Sequence, residues 1–178
     1  GHNDHTWGLN HLMQHYDRRL VKNKPQLIAH PLAFERKRAD GLEIGMALPR
    51  ELLRSYFEIK EQTEPYKITD KLTFLGQIPR TAEPPKALGK RLENGRETDD
   101  FCLDDTALVY DGAKGLVILT GCSHSGICNI IDYAVKVTGR KHIHDIIGGF
   151  HLLQTPAAEL GRVVEWKKKS APDVMHPC

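Results

Sequence analysis

No stretch of this 178-residue chain is apolar enough for long enough to span a bilayer, and the mean hydropathy is −0.43. A helical membrane protein is excluded on that ground. Close Cys-x-x-Cys pairs are also missing: the cysteines stand at 102, 122, 128 and 178. That spacing argues against a structural zinc ribbon or a secreted disulfide frame and fits a reducing cytosol, so a cytoplasmic protein is expected. Neither sign of charge dominates, with 25 basic and 23 acidic residues and a net charge of +2. No broad polyanion-binding surface follows from that balance, and no nucleic-acid partner is expected. The basic runs Arg36-Lys37-Arg38 and Lys167-Lys168-Lys169 read as solvated faces, the second near a helix end where positive charge complements the dipole. The chain opens on Gly rather than Met and closes on an apolar, strand-like run.

What is present begins at once. Gly1-His2-Asn3-Asp4-His5 sets two imidazoles and a carboxylate within four residues, and these are donors that zinc or iron prefers. Leu9, Leu12, Met13, Tyr16 and Leu20 then recur at three- and four-residue spacing, which predicts a helix from about Trp7 to Leu20, with Thr6 able to cap its start and Lys22 to Pro25 breaking it. Surface histidines near a terminus are common, so a second cluster is needed to decide. It lies at Thr120-Gly-Cys-Ser-His-Ser-Gly-Ile127, after the apolar run Gly115 to Leu119, a predicted buried strand, and before a predicted helix at Ile127 to Val137. His124 therefore stands at the carboxyl end of a strand, the edge at which layered α/β proteins gather binding and catalytic groups.

These two stretches resemble the metallo-β-lactamase fold, whose first signature is His-x-His-x-Asp-His and whose next metal ligand is a histidine after a later strand. His2, Asp4 and His5 match all of that signature except its first histidine, which would precede Gly1. Together with Leu75-Gly-Gln-Ile-Pro-Arg80, Asp104-Asp-Thr-Ala-Leu-Val109 and Ile147-Gly-Gly-Phe-His-Leu152, they are similar to the branch of metal-dependent hydrolases related to the dihydropterin ribofuranosyl-aminobenzene phosphate synthase. The resemblance runs along essentially the whole chain. It implies an α/β fold, a four-layer αββα sandwich, here as a single partial domain over residues 1–178. It also implies a fragment, because the branch supplies a late histidine from a Pro-x-His-Cys-Thr-Gly segment and this chain ends at His176-Pro177-Cys178.

The remaining chain is read from its own patterns. Gln26 to Ala29 is a short strand, and His30 before Pro31 reads as a turn residue with extended backbone. Residues 34–45 are expected to be a loop with weak strand pairing. Pro49 to Phe57 reads as a helix with Leu52, Leu53, Tyr56 and Phe57 on one face, and Lys71 to Pro79 as a strand. Residues 81–100, with Pro84-Pro85 and many charges, are expected to be a long loop and a candidate lid. A hairpin is expected around Asp111-Gly-Ala-Lys-Gly115, a strand up to Gly149, a helix from Ala157 to Lys168 and a last strand from Asp173 to Met175. Asp104-Asp105 reads as a polar pair at a strand start, and His142 and His144 as surface residues.

From the resemblance, His2, Asp4, His5 and His124 are the expected metal ligands, holding one or two ions, zinc first, with iron or manganese as alternatives. Two such ions share a water whose pKa one metal alone can lower to about 7, and the hydroxide would attack an ester or phosphoester of a small-molecule substrate. Asp4 could orient that hydroxide and so has the strongest claim to a catalytic role. Where wider relatives carry a bridging aspartate this chain has Gly149-Phe150-His151. His151, with Ser123, is accordingly a candidate neighbour of metal or substrate. Arg80 reads equally as a phosphate anchor or an ordinary surface arginine. Three functions remain: a metal-dependent hydrolase, a pterin-type synthase acting on a phosphorylated ribosyl substrate, and a non-catalytic metal-binding module.

Overall fold

Alternating strands and helices in the second half of the chain build a mixed sheet through two strand–helix–strand units. The computed structural model describes residues 1–15, 23–82, 85–93 and 95–178. These fall into two compact units, one of residues 1–63 with 87–104 and one of residues 64–86 with 105–178.

The first unit opens with α1 (Asn3–Thr6) and α2 (Gly8–His15) in place of one helix starting at Trp7, and the expected continuation through Tyr16 and Leu20 lies outside the described residues. Thr6 does not cap a helix start. It closes α1, donating its hydroxyl to the His2 carbonyl at 2.9 Å. Of the apolar stripe, Met13 is buried, whereas Leu12 is half exposed. β1 (Gln26–Ala29) is where the branched run predicts it, and it pairs in parallel with β4 (Glu58–Glu61). His30 caps the 3-10 turn Pro31–Phe34, its Nδ1 accepting the Leu32 N–H at 3.2 Å, which agrees with its reading as a turn residue. α3 (Arg50–Tyr56) begins after Pro49 and buries Leu53 and Phe57, which pack with Met13, while Leu52 points outward.

A four-stranded antiparallel sheet completes this unit, in the order β3 (Leu42–Glu43), β2 (Lys37–Ala39), β7 (Lys90–Glu93), β8 (Arg96–Asp99). The structure corrects the expected long loop over residues 81–100. β7 and β8 form a tight hairpin with Glu93 opposite Arg96, and β7 is paired to β2 rather than free as a lid. Its sequence signal is the Asn-Gly dipeptide at 94–95, a strong hairpin marker, and Gly95 has φ +79. The charges around it hide the alternation that would identify strands. Lys37, on β2, is fully buried and directs Nζ at Asp104 Oδ1 (2.5 Å) and Asp100 Oδ2 (3.2 Å).

The second unit is a six-stranded sheet in the order β12 (Val174–Pro177), β11 (Ile143–Gly148), β10 (Gly115–Thr120), β9 (Ala107–Gly112), β6 (Leu72–Phe74), β5 (Tyr66–Lys67). β9 and β10 are the expected hairpin, with Gly112 opposite Gly115. β10, β11 and β12 run parallel, so each successive pair needs a crossover, two in all. α4 (Ile127–Thr138) and α5 (Ala157–Ser170) supply them and pack against one another. α4 is set by Ile127, Ile130, Ile131 and Ala134, a stripe at helical spacing that is wholly buried, and it stops at Gly139 with φ +70. With Leu116, Ile118 and Ile146, also fully buried, this stripe forms the core under the sheet. His144 lies inside β11, and His142 Nε2 and His144 Nδ1 both contact Asp173 Oδ2, at 3.0 and 2.9 Å. Among the described residues, no helix is long and apolar enough to cross a membrane.

Gly148 closes β11 at φ +136, and a Cβ there would meet the Thr120 carbonyl oxygen at 2.1 Å. Both atoms are backbone-linked, so neither yields easily. Gly148→Ala is expected to lower unfolding stability by about 1–3 kcal/mol, the range of a forced backbone strain, read as a reduced urea midpoint. An unchanged midpoint would show that the two strand ends can separate without loss.

Candidate metal centre

Each unit carries one of the two donor clusters, and each is built from its own chain geometry. In the first unit His2 is extended (φ −73, ψ 152) and makes a β-bridge with Gly45, while the Asn3 N–H donates to the Ile44 carbonyl at 2.8 Å. The backbone then turns into α1, which displays Asp4 and His5 outward with side chains 64% and 43% exposed and His5 Nε2 3.5 Å from Asp4 Oδ2. The His2 ring goes the other way. Its side chain is only 12% exposed, and Nε2 lies 3.7 Å from Asp100 Oδ2 and 3.7 Å from Cys102 Sγ. Among the described residues of this unit, the donor atoms of His2, Asp100 and Cys102 gather within 4.8 Å of one another.

Sequence patterns do not single out Asp100 and Cys102. Their only signal is the density of metal-type side chains in Asp99-Asp-Phe-Cys-Leu-Asp-Asp105, which reads otherwise as strand-flanking polarity. Asp104 is more than a polar pair member. It is buried and bonded by Lys37, whereas Asp105 Oδ2 accepts the Ser125 N–H at 2.8 Å in the second unit. Burial pushes the Asp100 carboxyl up, but His2, the Lys37 ammonium and the Cys102 N–H outweigh it and hold the group well below the usual carboxylate range. For Lys37 burial pulls down, and Asp104 with Asp100 outweighs it, so the ammonium is held above its ordinary value.

In the second unit the parallel strands β10 and β11 end side by side. Gly149 N–H donates to the Gly121 carbonyl at 2.7 Å, stitching the loop after β10 to the one after β11. Ser123 stands at φ +58, buried, with Oγ donating to the Gly149 carbonyl at 2.5 Å and 3.0 Å from Thr120 Oγ1. Its hydroxyl is thus used in joining the two loops. His151 is a second non-glycine residue in left-handed backbone, φ +49, and its ring meets the His124 ring edge-on with centroids 4.5 Å apart. Arg80 Nη1 donates to the His124 carbonyl at 3.1 Å. Asn129, fully buried on α4, accepts from the Thr81 and Ala82 N–H groups and donates to the Ser125 carbonyl, which clamps the His124 loop between the helix and the segment after Arg80. The structure therefore brings His124, His151, Ser123 and Arg80 together within this unit, and His2, Asp4 and His5 onto one turn of the other.

The donor chemistry fits a divalent transition metal. Imidazole nitrogens and carboxylate oxygens are borderline ligands that suit zinc, iron or manganese, and the exposed Asp4 and His5 lose little hydration in accepting a cation.

No family model matches the chain. It is 34% identical over 169 residues to an uncharacterized protein of Methanocaldococcus jannaschii, covering 94% of this chain and 61% of that protein. It is 28% identical over 179 residues to the 7,8-dihydropterin-6-methyl-4-(beta-D-ribofuranosyl)-aminobenzene-5'-phosphate synthase of the same organism, covering 94% of this chain and 59% of that one. A solved structure of a metal-dependent hydrolase of the beta-lactamase superfamily superposes with a TM-score of 0.79 at 25% identity, over 88% of this chain and 60% of that chain. The chain thus spans about three fifths of the length of the relatives it matches. Its mixed α/β architecture is the one the metallo-β-lactamase resemblance implies, and the chain is similar in structure to a metal-dependent hydrolase of the β-lactamase superfamily and in sequence to the dihydropterin ribofuranosyl-aminobenzene phosphate synthase.

Proposed function

We propose that this chain carries ligands of a metal-dependent hydrolase acting on an ester or phosphoester bond of a small, phosphorylated molecule. The observation that supports it best is the exposed Asp4–His5 pair on one helical turn, directly after the half-buried His2, in a chain of this fold. His2, Asp4 and His5 are the ligands assigned to the first unit and His124 to the second, for one or two ions, zinc before iron or manganese. When bound, such an ion supplies Lewis acidity and lowers the pKa of its water to about 7. The protein's own groups do the rest. Neutral imidazoles of His2, His5 and His124 leave the positive charge of an ion largely intact, and the Asp4 carboxylate orients the attacking water and accepts its proton. His151, in ring contact with His124, can return a proton to the leaving oxygen. Arg80 holds the His124 loop by its carbonyl, and a guanidinium has further N–H groups with which to bond a phosphate.

The test is metal content by plasma mass spectrometry on the full-length chain and its Asp4→Ala, His124→Ala double variant, alongside turnover of bis-p-nitrophenyl phosphate with and without chelator. One to two equivalents of zinc, iron or manganese, lost in the variant together with turnover, is the expected result. A protein that neither retains nor takes up these metals overturns it in favour of a non-catalytic module. The 28% identity to the synthase supports a second reading, condensation on a phosphorylated ribosyl substrate. A metal-loaded protein inert toward every phosphoester and ester yet active on such a substrate would establish that one instead.

A further inference from the structure

One face of His2 is unused by the proposed function. Its Nε2 looks inward at Asp100, which is 2% exposed and follows β8. The two carboxylate oxygens of Asp100 differ. Oδ1 accepts the Cys102 N–H at 2.9 Å, while Oδ2 is buried with no hydrogen-bond partner, 3.2 Å from Lys37 Nζ and 3.7 Å from His2 Nε2. The Lys37 ammonium is ion-paired with Oδ2 but leaves room for a second donor, and the imidazole beside it can supply one by a shift of less than about 1 Å.

We infer that Asp100 is a positioning residue for His2: its buried carboxylate keeps the imidazole proton on Nε2, so that Nδ1 is the nitrogen offered to a metal. This rests on the reading of His2 as a metal ligand. A neutral imidazole has one proton for two nitrogens, and the nitrogen that faces a fixed negative charge keeps it, leaving a lone pair on the other. Cys102 Sγ is equally near Nε2, but sulfur is a weak donor and a weak acceptor, so it orients the imidazole less firmly than a carboxylate oxygen does. The group is not a metal site of its own. A cation among His2, Asp100 and Cys102 would share the Asp100 carboxylate with the Lys37 ammonium, which is fully buried and cannot withdraw to solvent. Lys37 serves instead to hold Asp100 in place.

The tautomer can be read without any metal. In the full-length chain labelled with ¹⁵N-histidine at pH 8, two-bond ¹H–¹⁵N correlation is expected to show His2 as the Nε2–H form. Asp100→Asn, whose amide can donate as well as accept, is expected to mix the two tautomers and to weaken zinc binding by about 10–100-fold in chelator competition. Asp104→Asn is the comparison, because it also removes a carboxylate from Lys37 but does not face His2. It is expected to lower the thermal midpoint while leaving the His2 tautomer and the zinc affinity unchanged, as should Cys102→Ala. A parent with His2 in the Nδ1–H form overturns the inference, and so does an Asp100→Asn protein, folded by circular dichroism, with unaltered tautomer and affinity. A Cys102→Ala protein that shifts the tautomer overturns it as well. If the Nε2–H form and its dependence on Asp100 are seen in a protein that binds no metal, the hydrolase reading fails while the hold of Asp100 on His2 stands. Should Asp100→Asn not fold, the parent spectrum and the Cys102→Ala protein still decide.

Discussion

Lys37→Met lowers the unfolding stability by about 3–5 kcal/mol, the loss typical of removing one partner from a buried ion pair. The reason is what remains rather than what is taken away. Methionine fills much the same volume, but Asp100 and Asp104, 2% and 6% exposed, lose the ammonium that both contact, in surroundings that solvate a carboxylate poorly. Chemical denaturation at pH 7 measures the effect, and a loss under about 1 kcal/mol would mean that water reaches the pair. The pH dependence carries a sign that sharpens the test. In the parent protein the Asp100 carboxyl is depressed, so its contribution is fully present above the ordinary carboxylate pKa of about 4 and is lost as pH falls through the native value below it. The Lys37 ammonium is raised, so its contribution is present below the ordinary lysine value of about 10.4 and is lost only as pH rises through the native value above that. A plateau between roughly pH 5 and 10 follows for these groups. In Lys37→Met burial is no longer opposed by the ammonium, both carboxyls rise, and the loss of stability on acidification should be smaller than in the parent.

His124→Ala is expected to reduce kcat/KM for a phosphoester by about three orders of magnitude, equivalent to about 4 kcal/mol of transition-state stabilisation, since a bound ion contributes several kcal/mol and this side chain is one of its proposed ligands. The fold should survive, because His124 sits on a loop that Ser123, Asn129 and Arg80 hold through backbone contacts independent of its ring. The thermal midpoint of the metal-free variant would therefore match that of the metal-free parent. His151→Ala should be milder and should fall mainly on kcat with poor leaving groups, where protonation of the departing oxygen limits the rate. Full activity in His124→Ala would remove this residue from the metal centre. Equal losses across all leaving groups in His151→Ala would assign it to holding the His124 ring rather than to proton transfer.

Much of the second unit is legible in the amino-acid sequence, and for a local reason. The buried run Gly115–Thr120, the stripe Ile127, Ile130, Ile131, Ala134 and the Gly112–Gly115 turn each announce themselves within a dozen residues, because strand and helix periodicity and turn chemistry are properties of neighbouring side chains. The hairpin of β7 and β8 is less so. Its strands are short, charged and exposed, so apolar alternation is missing, and only the Asn-Gly dipeptide marks it. His2, Asp4 and His5 stand out by residue type and spacing, since metal chemistry admits few side chains, whereas His124 is singled out as a ligand by the resemblance to the metallo-β-lactamase fold.

What the sequence determined by itself was thus the α/β class, most elements of the second unit and the identity of the candidate ligands. Only the tertiary structure decided that a lysine in the basic run 36–38 is a core residue, that it meets two aspartates more than 60 positions away, and that one of them faces His2. The physical reason is that a buried charge is tolerable only beside its counter-charge. No local pattern encodes that pairing when the strand pairing of β2 with β7 is what brings the segments together.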